Sequence, residues 1–160
     1  MKVKFKKLHP DAKIPTQGSE FAGGWDVYCT DIIQEEPDFV ICKLGFSLQP
    51  PNGFKVTLVP RSSLTSTRWI QQNSPGLGDP DYLGEYQYRF RAIPEGWYQI
   101  SSIEPFVKPK SGLFYPEFPY KVGDRIGQIY LEEIIPLEFL EVDELTQTQR
   151  GTDGFGSTGK

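Results

Sequence analysis

Apolar and polar residues alternate along short stretches of this chain, and glycine and proline break the pattern every few residues. Val3 and Phe5 alternate with lysines. Phe54, Val56 and Leu58 share one face of 54–59, and Tyr86, Tyr88 and Phe90 alternate with Gln87, Arg89 and Arg91. A period of two places alternate side chains on opposite faces of a strand, so these stretches read as strands with one face toward a core. The same reading predicts strands at 25–29, 39–44, 69–71, 126–135 and 139–142. Pro50-Pro51-Asn52-Gly53 is a turn, Pro60 ends the strand before it, and 62–66 has room for a single helical turn. Many short strands with turn residues between them argue for an all-β sandwich or barrel. One domain over 1–149 is expected, followed by a glycine-rich tail, 150–160, that should be mobile unless something orders it.

Composition narrows the function. The chain has 160 residues, enough for one domain with a real core, and its 16 Gly and 14 Pro leave little room for long helices. A net charge of −4 gives no basic face for a nucleic-acid polymer, although a small anion needs only a few local donors. Cys29 and Cys42 stand apart from the single histidine, His9, which argues against a Cys/His zinc site; two free thiols are the default expectation, and one disulfide is the alternative. No signal peptide or membrane span is evident, so a cytoplasmic protein without a membrane partner is expected.

Five polar or glycine-rich islands interrupt the strands: 22–26, 60–64, 73–85, 123–128 and 150–159. The third packs glycines, prolines, Asp79 and Asp81 into a corner that brings carboxylates and bare amides to one point. Asp79-Pro80-Asp81-Tyr82 also fits a plain type I turn. A calcium loop starting at Asp79 fails at Leu83 and Phe90, where oxygen ligands are required. The fifth island collects Arg150, several glycines, Ser157 and Thr158 around Phe155, a donor set that suits phosphate oxygens. Gly154 to Lys160 spells most of a Walker A motif, but the Ser/Thr and the helix that must follow are missing.

In order and wording the five islands resemble the five motifs of the homotrimeric dUTP diphosphatases (dUTPases), over almost the whole chain. The resemblance implies a distorted jelly-roll or barrel, a β-clip, that hydrolyses dUTP to dUMP and diphosphate with Mg²⁺. It implies that Asp79 activates the attacking water and that Tyr82 packs under the deoxyribose. Asn73 and the corner backbone would read the uracil. Arg61, Ser62, Ser63 and Gln128 would hold the triphosphate, and Asp26 would help organise the hydration shell of the Mg²⁺. Arg150, Phe155, Gly156, Ser157 and Thr158 would close over the ligand from a neighbouring subunit, each site being shared in a homotrimer. The second island also resembles dCTP deaminases, which lack the glycine-rich fifth motif. A trimeric dUTP-binding regulator without turnover is a third reading.

The chain departs from the family pattern at Gly78, where a bulky aliphatic is usual, at Ser63 and at Asp153, each in place of a common glycine, and in an aromatic-rich insertion at about 94–115. The insertion is expected to be either a surface hairpin or a protein-binding knob.

Overall fold

The alternating stretches become eleven short strands in a computed structural model that describes residues 1–94 and 115–152. They are β1 (Lys4–Lys7), β2 (Thr16–Gln17), β3 (Trp25–Tyr28), β4 (Asp31–Glu36), β5 (Phe39–Lys43), β6 (Phe46–Gln49), β7 (Phe54–Pro60), β8 (Trp69–Gln71), β9 (Gly76–Gly78), β10 (Gln87–Ala92) and β11 (Arg125–Glu133). Among the described residues the one helical element is the 3₁₀ turn Ser62–Ser66, where a single turn was expected. No helix of the described residues is long and apolar enough to cross a membrane. Most of the insertion and, in the tail, Asp153, Phe155, Gly156, Ser157 and Thr158 lie outside the described residues.

The strands form three antiparallel sheets, ordered β1-β6, β4-β5-β10-β8 and β2-β3-β11-β7-β9. The all-β expectation holds. The sheets are open, each with its own pair of edge strands, and no closed barrel forms among the described residues. One apolar cluster draws on all three sheets, with Val27, Val40, Phe46, Val56, Phe90 and Ile126 fully buried. Each such side chain contributes about 1.5–3 kcal/mol by leaving water. Residues 115–120 have no strand but pack onto this cluster through Phe118 and Tyr120, whose rings lie 5.4 and 5.8 Å from that of Phe90. Trp69 pins them by donating Nε1–H to the carbonyls of Pro116 and Glu117, at 3.2 and 3.0 Å. Cys29 and Cys42 are buried free thiols.

Two other expectations are corrected. Residues 139–142 form no strand: Phe139, Leu140 and Val142 are exposed, and the segment pairs with none of the open sheet edges. Gly76–Gly78 was read as part of a corner and is instead a strand, hydrogen-bonded to β7 with Gly78 opposite Val56 and Gly76 opposite Leu58.

Candidate active site

The corner is built from glycines because aromatic rings lie on them. A side chain at Gly78 would begin 2.4 Å from the Tyr86 hydroxyl, one at Gly84 2.5 Å from the Tyr82 hydroxyl, and one at Gly127 2.3 Å from the Tyr88 ring. Real Cβ atoms do not approach so closely, so each tyrosine occupies the room that its glycine vacates. After β9 the chain turns at Asp79, whose carbonyl accepts from Tyr82 N–H at 3.1 Å. The turn reading therefore holds for this stretch.

Behind the turn lies a cavity of about 480 Å³, walled by Asn73, Gly76, Gly78, Tyr82, Tyr86 and Tyr88 among others. Asn73 and Tyr82, expected to touch base and sugar, share this wall, and Asp79 follows Gly78 as an exposed residue of the turn. Gln71 was not anticipated. It is buried, and its Nε2 donates to the carbonyls of Asn73 at 2.9 Å and Leu58 at 3.4 Å, which holds the Asn73 loop against β7. No sequence signal marks it beyond its place in a brief strand.

The hydroxyls of the three tyrosines differ. Tyr82 donates to the Glu85 carbonyl at 3.0 Å, and Tyr88 to the carbonyls of Gln128 and Val59 at 2.7 and 3.3 Å. The Tyr86 hydroxyl is buried without a hydrogen-bond partner among the described residues. Burial, reinforced by Tyr82 and Asp79 nearby, pushes its pKa up to about 12. An unpartnered buried hydroxyl costs about 1–3 kcal/mol.

A second constellation forms where β3, β11 and the end of β7 meet. Gln128 stands opposite Asp26 on one side and Val59 on the other, so the sheet register brings the first, second and fourth islands together. Asp26 is 2% exposed. One of its oxygens takes Arg61 Nε at 3.3 Å and Gln128 Nε2 at 3.2 Å, and the other takes Arg125 Nη1 at 3.0 Å. Arg61 also donates to the Arg125 carbonyl at 3.3 Å. Two guanidiniums around one carboxylate leave one positive charge over, and each guanidinium keeps donors in hand. Ser62 and Ser63 follow Arg61 on the exposed face of the 3₁₀ turn. Arg150 sits in an exposed turn closed by Gly151 N–H to the Thr148 carbonyl.

The arrangement suits an anion better than a protein-held cation. Among the described residues no three His, Cys, Asp or Glu side chains gather to hold a metal. Asp26 has three of about four lone-pair sites engaged, which leaves it at most one water-mediated contact. Its first task in this fold is to anchor Arg61, Arg125 and Gln128.

One chain does not bring the two constellations together. Gln128 is level with Val59 on β7 and Gly78 with Val56, about 10 Å apart at ~3.3 Å per residue. Asp79 lies a residue further on, and Arg61 two residues beyond Val59 in the opposite direction.

No family model matches the chain. The chain is 31% identical over 161 residues to a deoxyuridine 5′-triphosphate nucleotidohydrolase of Helicobacter pylori, covering 99% of this chain and 97% of the relative. It is 33% identical over 162 residues to one of Wolinella succinogenes, covering 100% and 95%. Its fold superposes on the dUTPase of Staphylococcus bacteriophage 80alpha, solved with dUPNHPP, with a TM-score of 0.77 at 22% identity over 99% of both chains. A dUTPase from phage phi11 of S. aureus, described for its species-specific insert, gives 0.67 at 20% identity over 92% of this chain and all of that one. By fold and relatives this is an all-β hydrolase. The chain belongs to the dUTPase family.

Proposed function

We propose that this chain hydrolyses dUTP to dUMP and diphosphate, limiting uracil in DNA and supplying dUMP for dTTP synthesis. The observation that carries the proposal is the division of the site into a mostly uncharged cavity with Asp79 beside it and a separate, net-positive cluster around Asp26. Asn73 and the bare amides of β9 read the uracil edge, and Tyr82 lies under the deoxyribose. Arg61, Ser62, Ser63 and Gln128 grip the phosphates. Arg150, Phe155, Gly156, Ser157 and Thr158 complete the grip from the tail, which excludes bulk water as it closes.

Asp79 orients a water for in-line attack on the α-phosphorus and helps to take its proton. The new bond joins the water oxygen to that phosphorus; the bond from it to the bridging oxygen of the β-phosphate breaks, and diphosphate leaves. Mg²⁺ bound by the phosphates would offset their charge. The side chains around Asp26 supply only positive charge and, at most, one water contact toward it. Diphosphate release from dUTP, but not from dTTP, dCTP or UTP, tests substrate and reaction together. Ammonia release from dCTP would replace the reading with a deaminase, and dUTP binding without turnover would replace it with a regulator.

We further propose a homotrimer with shared sites. The separation of the two constellations within one chain supports a site in which the phosphate cluster meets the cavity of another. Beyond β11 an apolar arm also lies uncovered, with Phe139 at 90%, Leu140 at 83% and Leu145 at 85% exposure. A second copy offers it an apolar cavity of about 360 Å³ between β1, β3 and β11, lined by Phe5, Trp25 and Leu131. Exposed apolar stretches of this kind mark interfaces. Phe139→Asp with Leu140→Asp should give monomers in sedimentation and lose dUTP hydrolysis with the assembly. An active monomer would remove the shared site.

A further inference from the structure

Between β5 and β6 the backbone pairing skips one buried amide. The Tyr86 carbonyl takes the N–H of Leu44 at 3.1 Å, and the Tyr86 N–H goes to the carbonyl of Phe46 at 3.0 Å, so Gly45 between them is passed over. Gly45 is itself a fixed point. Its carbonyl holds the N–H groups of Leu8 and His9 at 2.8 and 3.0 Å, its φ is +67°, and a side chain there would begin 2.7 Å from that of His9. A buried N–H needs an acceptor, and the Glu85 carboxylate supplies it at 3.1 Å. The other carboxylate oxygen lies 3.6 Å from Lys43 Nζ. A carboxylate that accepts from a backbone amide makes one of the stronger hydrogen bonds, so residue 85 is tied to Gly45.

Glu85 in turn closes the seat of Tyr82. Its carbonyl accepts the Tyr82 hydroxyl at 3.0 Å, and the Tyr82 ring lies over Gly84. One run of contacts therefore leads from Gly45, through the carboxylate and the carbonyl of Glu85, to a ring that walls the cavity. Glu85 lines the same cavity. A carboxylate there repels the phosphates of a nucleotide, so its place in the wall is explained by what it holds rather than by what it binds.

Resting on the dUTPase reading above, we propose that Glu85 is a positioning residue: by tying residue 85 to Gly45 it sets the Tyr82 ring against the sugar, and with it the preference for deoxyribose over ribose. A ring held flush under the sugar excludes an added 2′-hydroxyl by contact, and a ring free to tilt makes room for it.

The test compares wild type, Glu85→Ala and Glu85→Gln in the full chain. KM and kcat for dUTP are measured by diphosphate release, together with the inhibition constants of the non-hydrolysable imido analogues of dUTP and UTP. Glu85→Ala should lower kcat/KM for dUTP about 10-fold, chiefly through KM, and narrow the preference for the deoxy analogue about 3- to 10-fold. Glu85→Gln keeps an oxygen for the Gly45 amide and should recover most of both. A residue that only supports the fold would weaken both analogues alike, along with the melting temperature. An unchanged preference in Glu85→Ala would overturn the assignment, as would a Gln variant as impaired as the Ala one. Should Glu85→Ala not fold, Glu85→Asp keeps the charge, shortens the reach and must narrow the preference in its place. If the wild-type protein releases no diphosphate from dUTP, the dUTPase reading itself fails, which is a different outcome from an insensitive Glu85.

Discussion

Strand β7 carries the glycine corner along its edge and the arginine cluster at its end, and the two are made of opposite materials. The wall of the corner's cavity is mostly uncharged, with Glu85 and Arg89 as its charged members. Its shape comes from tyrosine rings laid on glycines, and Asp79, one of its three carboxylates with Asp81 and Glu85, stands exposed on a turn that is closed by a backbone carbonyl. The cluster is charged, with a carboxylate buried to 2% exposure and held by Arg125 and Gln128 of β11 and by Arg61 just past the end of β7. A cavity shaped by packing separates ligands by size and hydrogen-bond pattern. Surplus guanidinium charge grips any phosphate of the right reach. Chemistry and stability should therefore come apart at the corner and stay joined at the cluster.

The largest effect should come from Asp79→Asn. Loss of the base and water-orienting group is expected to lower kcat for dUTP by about 10²–10⁴-fold. The melting temperature should stay put, because the turn uses the Asp79 carbonyl and not its side chain. A melting temperature that falls along with the rate would make Asp79 a structural residue and erase the contrast.

Asp26→Asn should do the reverse. It removes the charge that Arg61 and Arg125 share and replaces hydrogen bonds to a carboxylate by weaker neutral ones, at about 1.5–3 kcal/mol in urea unfolding. KM for dUTP should rise as Arg61 and Gln128 lose their anchor. Unchanged stability would mean that the arginines are held in place by something other than the buried carboxylate.

Gly78→Val sharpens the difference from the side of the cavity wall. The new side chain would overlap the Tyr86 ring, and overpacking of this kind costs about 1–3 kcal/mol. Adding Tyr86→Val should restore most of the loss, since the two residues compete for one space. A double variant as unstable as the sum of the single ones would show that the ring does not depend on the glycine.

How far these regions were legible follows from where their partners lie. β10 alternates because one face meets the core while the other is partly exposed, and β7 keeps the same pattern in its residues although Thr57 of its polar face is buried too, so both were readable from their own residues. β9 is not: three residues, two of them glycine, carry no alternation, and its strand character comes from pairing with β7. β4 is an edge strand with mostly exposed residues and shows no apolar face to read. The role of Arg125 depends on Asp26, 99 residues away, and a linear scan could place it only in a turn island. Asp26, Arg61 and Gln128 were grouped by resemblance to a family. The register of β3, β11 and β7 supplies the physical reason that they meet. Tyr86 looked like one more inward strand residue, because its meaning lies in the absent side chain at Gly78.

The smallest effect expected is a dependence on pH, and it isolates the cavity wall. In the folded protein burial raises the Tyr86 phenol from 10.0 to about 12. An acid with a raised folded pKa favours the folded state while both states hold the proton, so its contribution is complete below pH 10. Between pH 10 and about 12 the unfolded chain releases a proton that the folded chain keeps, and stability falls with rising pH at up to ~1.4 kcal/mol per unit for this group. Burial raises the Tyr88 phenol as well, which adds to the wild-type slope and persists in a Tyr86 variant. Urea unfolding of wild type and Tyr86→Phe at pH 9 and pH 11 should give a shallower loss in the variant. The two proteins should also respond alike between pH 7 and 9, where the phenol is neutral in both states. Equal slopes above pH 10 would mean that the Tyr86 hydroxyl reaches water in the folded protein. The cavity wall would then be open at the point where the packing of Tyr86 on Gly78 closes it.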